Sequence, residues 1–363
     1  MSPYTLLVGS WDDAVFTLSF DPSASPPSLK LVSELKVGYH PSWLAQHPTD
    51  SSLVFTAQRL SDTTSGEIVA LRYTGPGSGV KEIGRSKNGG VDPCHLLVTE
   101  DEVVTANYKE GGVAVTPIST SRPYLFPDGA YQLDMPFYAP GPNRIRQAGS
   151  HAHQIVPSSD RAELLVPDLG ADRTWRLGKK DGRWAVLEES IKYEPGSGPR
   201  HVVLLDGKLY TLLEITSRLA THAFPSGTSL SKSISTLTSP PPASSGAVMV
   251  AAELLAPLLN STFPTQHLYV SNRDDPSPEG DTIAIFALDA EHDGVPVLVN
   301  EVRTGLRHAR GMVFGGPDDL YLAVGGKDGG GVKIFERVDG GTRLKELAQI
   351  EEGIRSPTHF LWM

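Results

Sequence analysis

Seven short segments of the sequence share an apolar body but end in different residues, and these ends are where chemistry can lie. The segments are 4–10, 52–58, 102–108, 162–168, 208–214, 267–273 and 319–325, and they end in Ser10, Gln58, Tyr108, Asp168, Glu214, Arg273 and Gly325. A purely structural repeat would keep similar residues at these positions, so their divergence indicates a binding or catalytic site on a rigid scaffold. Glu214 is the strongest candidate, because a carboxylate that closes an apolar segment needs a cationic or hydrogen-bonding partner.

A second set of segments, which precedes most of the first, is rich in imidazole and guanidinium groups. It supplies His151, His153, Arg200, His201, Arg310 and His359, with His308 just ahead of Arg310. Arginine holds carboxylate or phosphate groups through paired hydrogen bonds. Such groups at one rim of an otherwise acidic chain therefore predict a site for a small anionic substrate.

Some of these residues also have a structural interpretation. A histidine at the start of a strand, such as His95, His201 or His359, can be a hydrogen-bonded spacer between repeated units. Asp168 is followed by Leu169 and Gly170 and can instead stabilise a turn.

Asn107 and Tyr108, ahead of Gly111–Gly112, are typical of a strand end and a turn, and we place them at the substrate site. His151 and His153 would share one face of a strand, but two ligands are too few to indicate a metal site. We predict neither a metal nor a cofactor.

The spacing of the two sets of segments defines the elements that position these residues. The units recur about every 52 residues, and the long interval between Arg200 and Arg310 has room for one more unit, which we expect to start with a strand at 245–250. Each unit has space for a third strand, as at 111–115, and a fourth, as at 344–347. Four strands per unit in seven units predict an all-β fold, a seven-bladed β-propeller.

The chain ends complete this pattern. The last preceding segment, 357–361, has no strand segment after it, whereas the first strand segment, 4–10, has none before it. We therefore predict that both termini close the last blade, that residues 1–363 form a single domain, and that the Ser/Pro-rich stretch 226–245 is an irregular loop.

Composition excludes several classes of partner. The formal net charge of −10 gives no long-range attraction to nucleic acid or to an anionic membrane surface. The most apolar stretch, 246–259, is too short and too interrupted to span a bilayer. One cysteine, Cys94, and an N-terminus without a signal-peptide pattern predict a cytoplasmic protein. The oligomeric state stays open.

Several longer motifs resemble one known family. They are Val-Gly-Ser-Trp (8–11), Pro-Ser-Trp-Leu (41–44), Pro-Cys-His-Leu (93–96), Ala-Asn-Tyr-x-x-Gly-Gly-Val (106–113), His-Ala-His-Gln-Ile-Val (151–156), Val-Pro-Asp-Leu-Gly-Ala-Asp (166–172), Gly-Ser-Gly-Pro-Arg-His (196–201), Tyr-Val-Ser-Asn-Arg (269–273) and Ala-Arg-Gly-Met-Val-Phe (309–314). The sequence resembles the seven-bladed propeller lactonases, which include 6-phosphogluconolactonase-like proteins and the fungal 3-carboxy-cis,cis-muconate cyclase. The pattern is blurred in the fifth blade, at residues 217–251.

The resemblance implies an activity and a set of site residues. The catalytic positions of the family fall on His153, Arg200, Glu214 and Arg273, and the family works without a metal. The substrate-binding residues that we add are His151, Asn107, Tyr108, Asp168, His308 and Arg310. The expected reaction is acid–base opening of a small sugar-acid or dicarboxylic lactone, with Glu214 or His153 as the base. The alternatives are a cycloisomerase that forms a lactone from a muconate-type acid, and a propeller that only binds partners.

Overall fold

The computed structural model describes residues 3–59, 66–87, 90–225, 232–241, 246–288 and 294–363, which form seven four-stranded antiparallel sheets. In the first part of the chain the strands are β1 (Tyr4–Ser10), β2 (Ala14–Asp21), β3 (Ser28–Lys36), β4 (Leu44–Gln46), β5 (Leu53–Gln58), β6 (Glu67–Tyr73), β7 (Val80–Lys87), β8 (Pro93–Val98), β9 (Glu102–Asn107), β10 (Gly112–Pro117), β11 (Tyr131–Asp134), β12 (Val156–Pro157), β13 (Glu163–Asp168), β14 (Arg173–Lys180) and β15 (Arg183–Lys192).

The second part of the chain continues the same order. Its strands are β16 (Pro199–Leu205), β17 (Lys208–Leu213), β18 (Arg218–Ala223), β19 (Lys232–Ser235), β20 (Val250–Leu255), β21 (Gln266–Arg273), β22 (Thr282–Leu288), β23 (Val297–Arg303), β24 (Arg307–Gly315), β25 (Tyr321–Gly329), β26 (Gly331–Val338), β27 (Arg343–Ile350) and β28 (Pro357–Trp362). Short 3-10 turns lie at Pro127–Gly129, Pro317–Asp319 and Asp339–Gly341. No helix among the described residues has the length and apolar character needed to cross a membrane.

The predicted seven-bladed β-propeller and its closure by both chain ends are confirmed. Blade 1 contains β28, β1, β2 and β3 in that order, and the other blades follow as β4–β7, β8–β11, β12–β15, β16–β19, β20–β23 and β24–β27. In blade 1 the C-terminal strand runs antiparallel to the N-terminal one, with Leu361 opposite Leu7 and Phe360 opposite Val8.

The core consists of apolar layers between neighbouring blades. The described residues form seven buried clusters, each shared by two adjacent blades, including one between blades 7 and 1. In β1, Leu6 and Val8 pack towards blade 7, whereas Leu7 packs towards blade 2. Because both faces of such a strand are buried, it appears in the sequence as a continuous apolar run instead of an alternating one.

The first strands of blades 4 and 6 depart from the pattern of the sequence segments. In blade 6 the expected strand at 245–250 is wrong: β20 begins only at Val250, where Ala251 and Leu254 can enter the cluster between blades 5 and 6, and residue 245 lies outside the described residues. In blade 4 the segment 151–155 makes an isolated bridge between Ala152 and Asp168, and the paired strand is β12.

The stretch predicted as an irregular loop, 226–245, contains a strand. Residues 226–231 and 242–245 lie outside the described residues, but β19 pairs with β18 and completes blade 5. The serine-rich composition concealed this strand, because outer strands are half exposed and need few apolar residues.

Closure by the C-terminal strand is expected to stabilise the fold substantially. Phe360 is fully buried between blades 1 and 7, so Phe360→Ala should cost about 3–5 kcal/mol of unfolding free energy. Urea denaturation followed by tryptophan fluorescence measures this loss. The control is Leu298→Ala, on an outer strand with 41% exposure, which should cost far less. Equal losses for the two variants would contradict the closure of the ring through Phe360.

Candidate active site

A cavity of about 230 Å³ opens where the inner strands of the blades converge. Its lining residues are Trp11, Arg59, Cys94, Tyr108, Arg146, His153, Arg200, Glu214, Arg273, His308, Arg310 and Lys327. Four of them directly follow the second strand of a blade, namely Trp11, Arg59, Tyr108 and Glu214, and Arg273 is the last residue of β21. Three of the seven divergent segment ends, Tyr108, Glu214 and Arg273 of blades 3, 5 and 6, therefore line one cavity.

The first strands contribute side chains at irregular positions of their pairing. The register shifts across Cys94 in β8, Arg200 in β16 and Arg310 in β24. An extra residue at such a bulge is unpaired and its side chain is re-aimed. This local distortion explains how Arg200 can enter the cavity while its neighbour His201 lies on the propeller axis.

Glu214 lies at the centre of the charged groups. It is fully buried, and its carboxylate accepts hydrogen bonds from Arg200 Nη1 at 2.7 Å, from Arg273 Nη2 at 2.7 Å and from Arg146 Nη2. Burial alone would raise the pKa of Glu214, but the charges of Arg273, Arg200 and Arg146 outweigh it and hold that pKa well below its usual range. Glu214 is therefore an anion with little basicity, and it fixes three guanidinium groups.

His153 lies beside this cluster as a neutral imidazole. Its Nε2 accepts a hydrogen bond from Arg200 Nη1, whereas its Nδ1 is buried and has no partner in the part of the chain that the structure describes. Burial, together with the nearby charge of Arg200, lowers the pKa of His153 well below its ordinary value. The lone pair of Nε2 is engaged by Arg200, so this neutral imidazole can accept a proton once Arg200 turns to a ligand.

The opposite half of the cavity is built around the indole of Trp11. The guanidinium carbons of Arg59 and Arg310 lie 4.7 Å from its ring centroid, and Lys327 Nζ lies 5.3 Å away. Asp92 pairs with Arg59 and Asp328 with Lys327. Within the part of the chain that the structure describes, no carboxylate pairs with Arg310.

Several hydrogen-bond donors at the cavity lack acceptors. Trp11 Nε1, Arg59 Nη1 and Arg273 Nε are buried and make no hydrogen bond in the described structure. These groups can only donate, and leaving them unpaired is costly. A ligand that is rich in acceptor oxygens would satisfy them.

His308 is held at the edge of the cavity by a neighbouring carboxylate. Its Nδ1 donates to Asp274 Oδ1 at 2.7 Å, and its Nε2 accepts from Arg273 Nη1 at 2.9 Å. Burial lowers the pKa of His308 although Asp274 acts in the opposite direction. The Asp274 contact fixes which nitrogen carries the proton, so the lone pair of Nε2 faces the site.

Three predicted substrate-binding residues do not line the cavity. Asp168 is fully buried and accepts hydrogen bonds from the donors of its own blade, which are Ser150 Oγ, Trp175 Nε1 and the backbone N–H groups of His151, Gly170 and Ala171. His151 donates from Nδ1 to the backbone oxygen of Tyr108 at 2.6 Å and stacks on its ring. Asn107 is buried at the end of β9. The structure places Asp168 and His151 behind Tyr108, as supports for the cavity wall.

Five lining residues were missed by the sequence analysis: Trp11, Arg59, Cys94, Arg146 and Lys327. Trp11 and Arg59 stand one residue beyond the predicted segment ends, the same place relative to their strands that Glu214 occupies. Extending each predicted segment to the residue that directly follows its strand, as for Glu214, would have included both of them. Arg146 lies in the irregular connection between β11 and β12, and no repeat pattern could have found it.

Cys94 and the potential metal ligands of the described residues argue against a cysteine nucleophile and a metal centre. Burial raises the pKa of the Cys94 thiol to about 11, so it is not a nucleophilic thiolate at neutral pH. Among the described residues no group of three or more His, Cys, Asp and Glu side chains could hold a metal ion. The cavity instead presents six cationic side chains and one lining carboxylate.

The comparisons with known proteins agree with this architecture. The chain matches the family described as "Lactonase, 7-bladed beta-propeller" over residues 5–361, and it therefore belongs to that family. It is similar to the "Probable 6-phosphogluconolactonase" of Arthroderma benhamiae, with 26% identity over 339 residues, or 90% of this chain and 81% of the relative. It is also similar to the 6-phosphogluconolactonase of Formosa agariphila, with 22% identity over 91% of this chain and 90% of the relative.

A solved structure shows the same fold. The periplasmic gluconolactonase of Pseudomonas aeruginosa matches with a TM-score of 0.81 and 20% identity, covering 100% of this chain and 99% of that one. At this identity the likeness concerns the fold alone.

Proposed function

We propose that this protein is a lactonase that hydrolyses a small lactone carrying an acidic group. The observation that carries this proposal is the cavity itself, in which buried donors and Arg310, which has no carboxylate partner among the described residues, surround a neutral imidazole. Membership of the lactonase family supports the reaction class, and relatives named 6-phosphogluconolactonase support an acidic sugar lactone.

The charge of the cavity supports an anionic substrate. Six cationic side chains line it, although the chain as a whole has a net charge of −10. Glu214, Asp92 and Asp328 neutralise only part of this charge, and a cleft with low-dielectric walls concentrates the remaining field. A neutral lactone would leave Arg310 unpaired and would gain nothing from this field.

The proposed chemistry starts at Arg200 and Arg273. Their guanidinium groups would hold the lactone carbonyl oxygen and stabilise the negative charge that develops on it. As the carbonyl oxygen draws Arg200 away from His153, the freed lone pair of Nε2 would take a proton from water while the water oxygen bonds to the carbonyl carbon. The ring C–O bond then breaks, and the imidazolium of His153 returns the proton to the leaving alkoxide.

Glu214 has a different role in this mechanism. Its oxygens already accept from three arginines, so it is poorly suited to act as a base. It would instead hold the guanidinium groups in place before the substrate arrives. Of the two bases that the sequence left open, we therefore favour His153.

A screen of lactone hydrolysis tests the proposal. Wild-type protein is assayed by pH-stat against gluconolactone, 6-phosphogluconolactone and a dicarboxylic lactone, with and without EDTA. We expect faster opening of an acidic lactone than of the neutral one, and no effect of EDTA. Conversion of 3-carboxymuconate without lactone opening would favour the cycloisomerase, and no turnover of any compound would favour a binding propeller.

Arg310 is expected to set the preference for acidic substrates. Arg310→Leu should lower kcat/KM for the preferred acidic lactone by about 10- to 100-fold, because a charge-assisted hydrogen bond contributes about 1.5–3 kcal/mol. The value for gluconolactone should hardly change. The matched control is Arg310→Lys, which keeps the charge. Equal losses for acidic and neutral lactones in Arg310→Leu would contradict this role.

A further inference from the structure

A buried histidine–carboxylate pair lies next to His153 on the propeller axis. His201 Nδ1 and Glu253 Oε1 are 2.5 Å apart, and the two residues are 1% and 3% exposed. His201 lies on β16 and Glu253 on β20, so the pair joins blades 5 and 6. The residues next to them form a second link between these strands, because Arg200 Nε donates to the backbone oxygen of Ala252 at 2.5 Å.

Two other histidines on the propeller axis, His95 and His359, have a structural role. His359 Nδ1 accepts from the backbone N–H of Leu44 at 3.2 Å, and His95 Nδ1 accepts from that of Ile155 at 3.4 Å. Each of these contacts ties one blade to the next, and His359 stacks on Trp43 with ring centroids 3.7 Å apart. His201 differs from them, because its partner is a carboxylate.

The nitrogens of His153 and His201 that lack partners are complementary. Arg200 can only donate, so His153 accepts at Nε2 and carries its proton on Nδ1. Glu253 accepts from His201 Nδ1, so the lone pair of His201 is on Nε2. Both His153 Nδ1 and His201 Nε2 are buried and have no partner among the described residues, and the ring centroids lie 5.4 Å apart at an interplanar angle of 61°. Because these nitrogens make no direct hydrogen bond in the described structure, one water molecule would have to join the donor to the acceptor.

The proposed reaction needs a route for a proton. Opening a lactone with water yields an alcohol and a carboxylic acid, and the acid ionises at neutral pH, so each turnover releases one proton. Arg200, Arg273 and Arg310 lie close to His153 and disfavour a lasting imidazolium there. An acceptor behind His153 that is paired with a carboxylate, as His201 is with Glu253, would remove this obstacle.

We infer that His201 and Glu253 are positioning residues that relay a proton from His153. In this relay the product acid draws Arg200 Nη1 away from His153 Nε2, which then receives the acid proton, and His153 gives up the proton on Nδ1 through one water to His201 Nε2. His201 then passes its Nδ1 proton to Glu253. When the product anion has left, the proton returns along the same path to His153 Nε2 and to water in the cavity, which restores both histidine tautomers and the Glu253 carboxylate. This inference rests on the proposed lactonase function.

The groups that face the relay come from several blades. His201 is surrounded by His95, His153 and His359, by Trp43 and by Glu253, with the charges of Arg200 and Arg310 nearby. Tyr108 packs edge-on against His153. Glu253 contributes a carboxylate to this group, and its charge opposes the lowering of the pKa of His201 that burial, Arg200 and Arg310 cause.

The key variant is Glu253→Gln, which keeps a hydrogen-bond acceptor for His201 but removes the acceptor of a proton. We expect kcat to fall by about 10-fold or more with little change in KM, and the pH profile of kcat to shift. Glu253→Asp should recover part of the activity. The control is His359→Gln, which alters a spacer on the same axis and should leave the pH profile unchanged. An unchanged kcat and pH profile in Glu253→Gln would overturn the relay.

A second measurement does not depend on turnover. In ¹⁵N spectra of the histidine rings, His201→Phe should move the His153 Nδ1 resonance, because the acceptor for its N–H is lost. An unmoved resonance overturns the inference even if lactones are hydrolysed. If the wild type opens no lactone, the proposed function fails and a moved resonance still supports the contact between the two rings.

Discussion

Glu214→Gln is expected to lower kcat/KM for the preferred lactone by about 10³-fold. The glutamine amide cannot balance Arg146, Arg200 and Arg273, and three guanidinium groups would repel one another around a neutral residue. Removing one partner from a buried ion pair costs about 3–5 kcal/mol. Because the arginines would no longer be held for the carbonyl oxygen, most of this cost should appear in the transition state.

Steady-state kinetics at neutral pH measure the effect of Glu214→Gln, with circular dichroism to verify the fold. The matched control is Glu163→Gln, because Glu163 also pairs with an arginine, Arg176, but lies on β13 outside the cavity. It should retain wild-type kinetics. A Glu214→Gln protein that is folded and fully active would show that this cluster is not the catalytic centre.

His153→Gln should lower kcat by about 10²- to 10⁴-fold, the usual contribution of a general base, with a smaller effect on KM. The lowered pKa of His153 determines how the rate should depend on pH. Burial and Arg200 lower the pKa of His153, so the neutral, active form persists to pH values well below the ordinary range of histidine. The wild-type kcat/KM should therefore be flat between about pH 6 and 8 and fall only in more acidic buffer.

A pH–rate profile of kcat/KM for the wild type tests this assignment. Histidine at an ordinary pKa would give an acidic limb near pH 6.5, with activity rising through neutrality. Such a limb, or near-normal kcat in His153→Gln, would exclude His153 as the base and would direct attention to His308, whose Nε2 also faces the cavity.

The repeat explains why much of the fold could be predicted from the sequence. Second strands such as β1 and β17 are buried on both faces, so they retain apolar residues that are easy to align. Outer strands such as β19 lie partly in solvent and carry few apolar residues, which is why the fifth blade was blurred. The first strand of blade 6 was predicted too early in the sequence, because Glu253 interrupts the apolar pattern of β20 where its pairing with β21 shifts register.

The site was predictable only where it follows the repeat. Glu214 and Arg273 lie at strand ends, and His153 and Arg200 precede strands, so their positions relative to the blades bring them together. Asp168 also lies at a strand end, but its carboxylate already accepts hydrogen bonds from donors of its own blade. The catalytic roles, the single-domain assignment of 1–363 and the cytoplasmic compartment stay predictions.

A crystal structure with 6-phosphogluconate, the open-chain product of an acidic sugar lactone, tests most directly whether this cavity is the lactonase site. We expect the carboxylate to lie within hydrogen-bond distance of Arg200 and Arg273 and the phosphate to contact Arg310 beside Trp11. Trp11 Nε1, Arg59 Nη1 or Arg273 Nε should gain an acceptor. A ligand bound outside this cavity, or a cavity that stays empty at saturating concentration, would show that the lactone is not bound here.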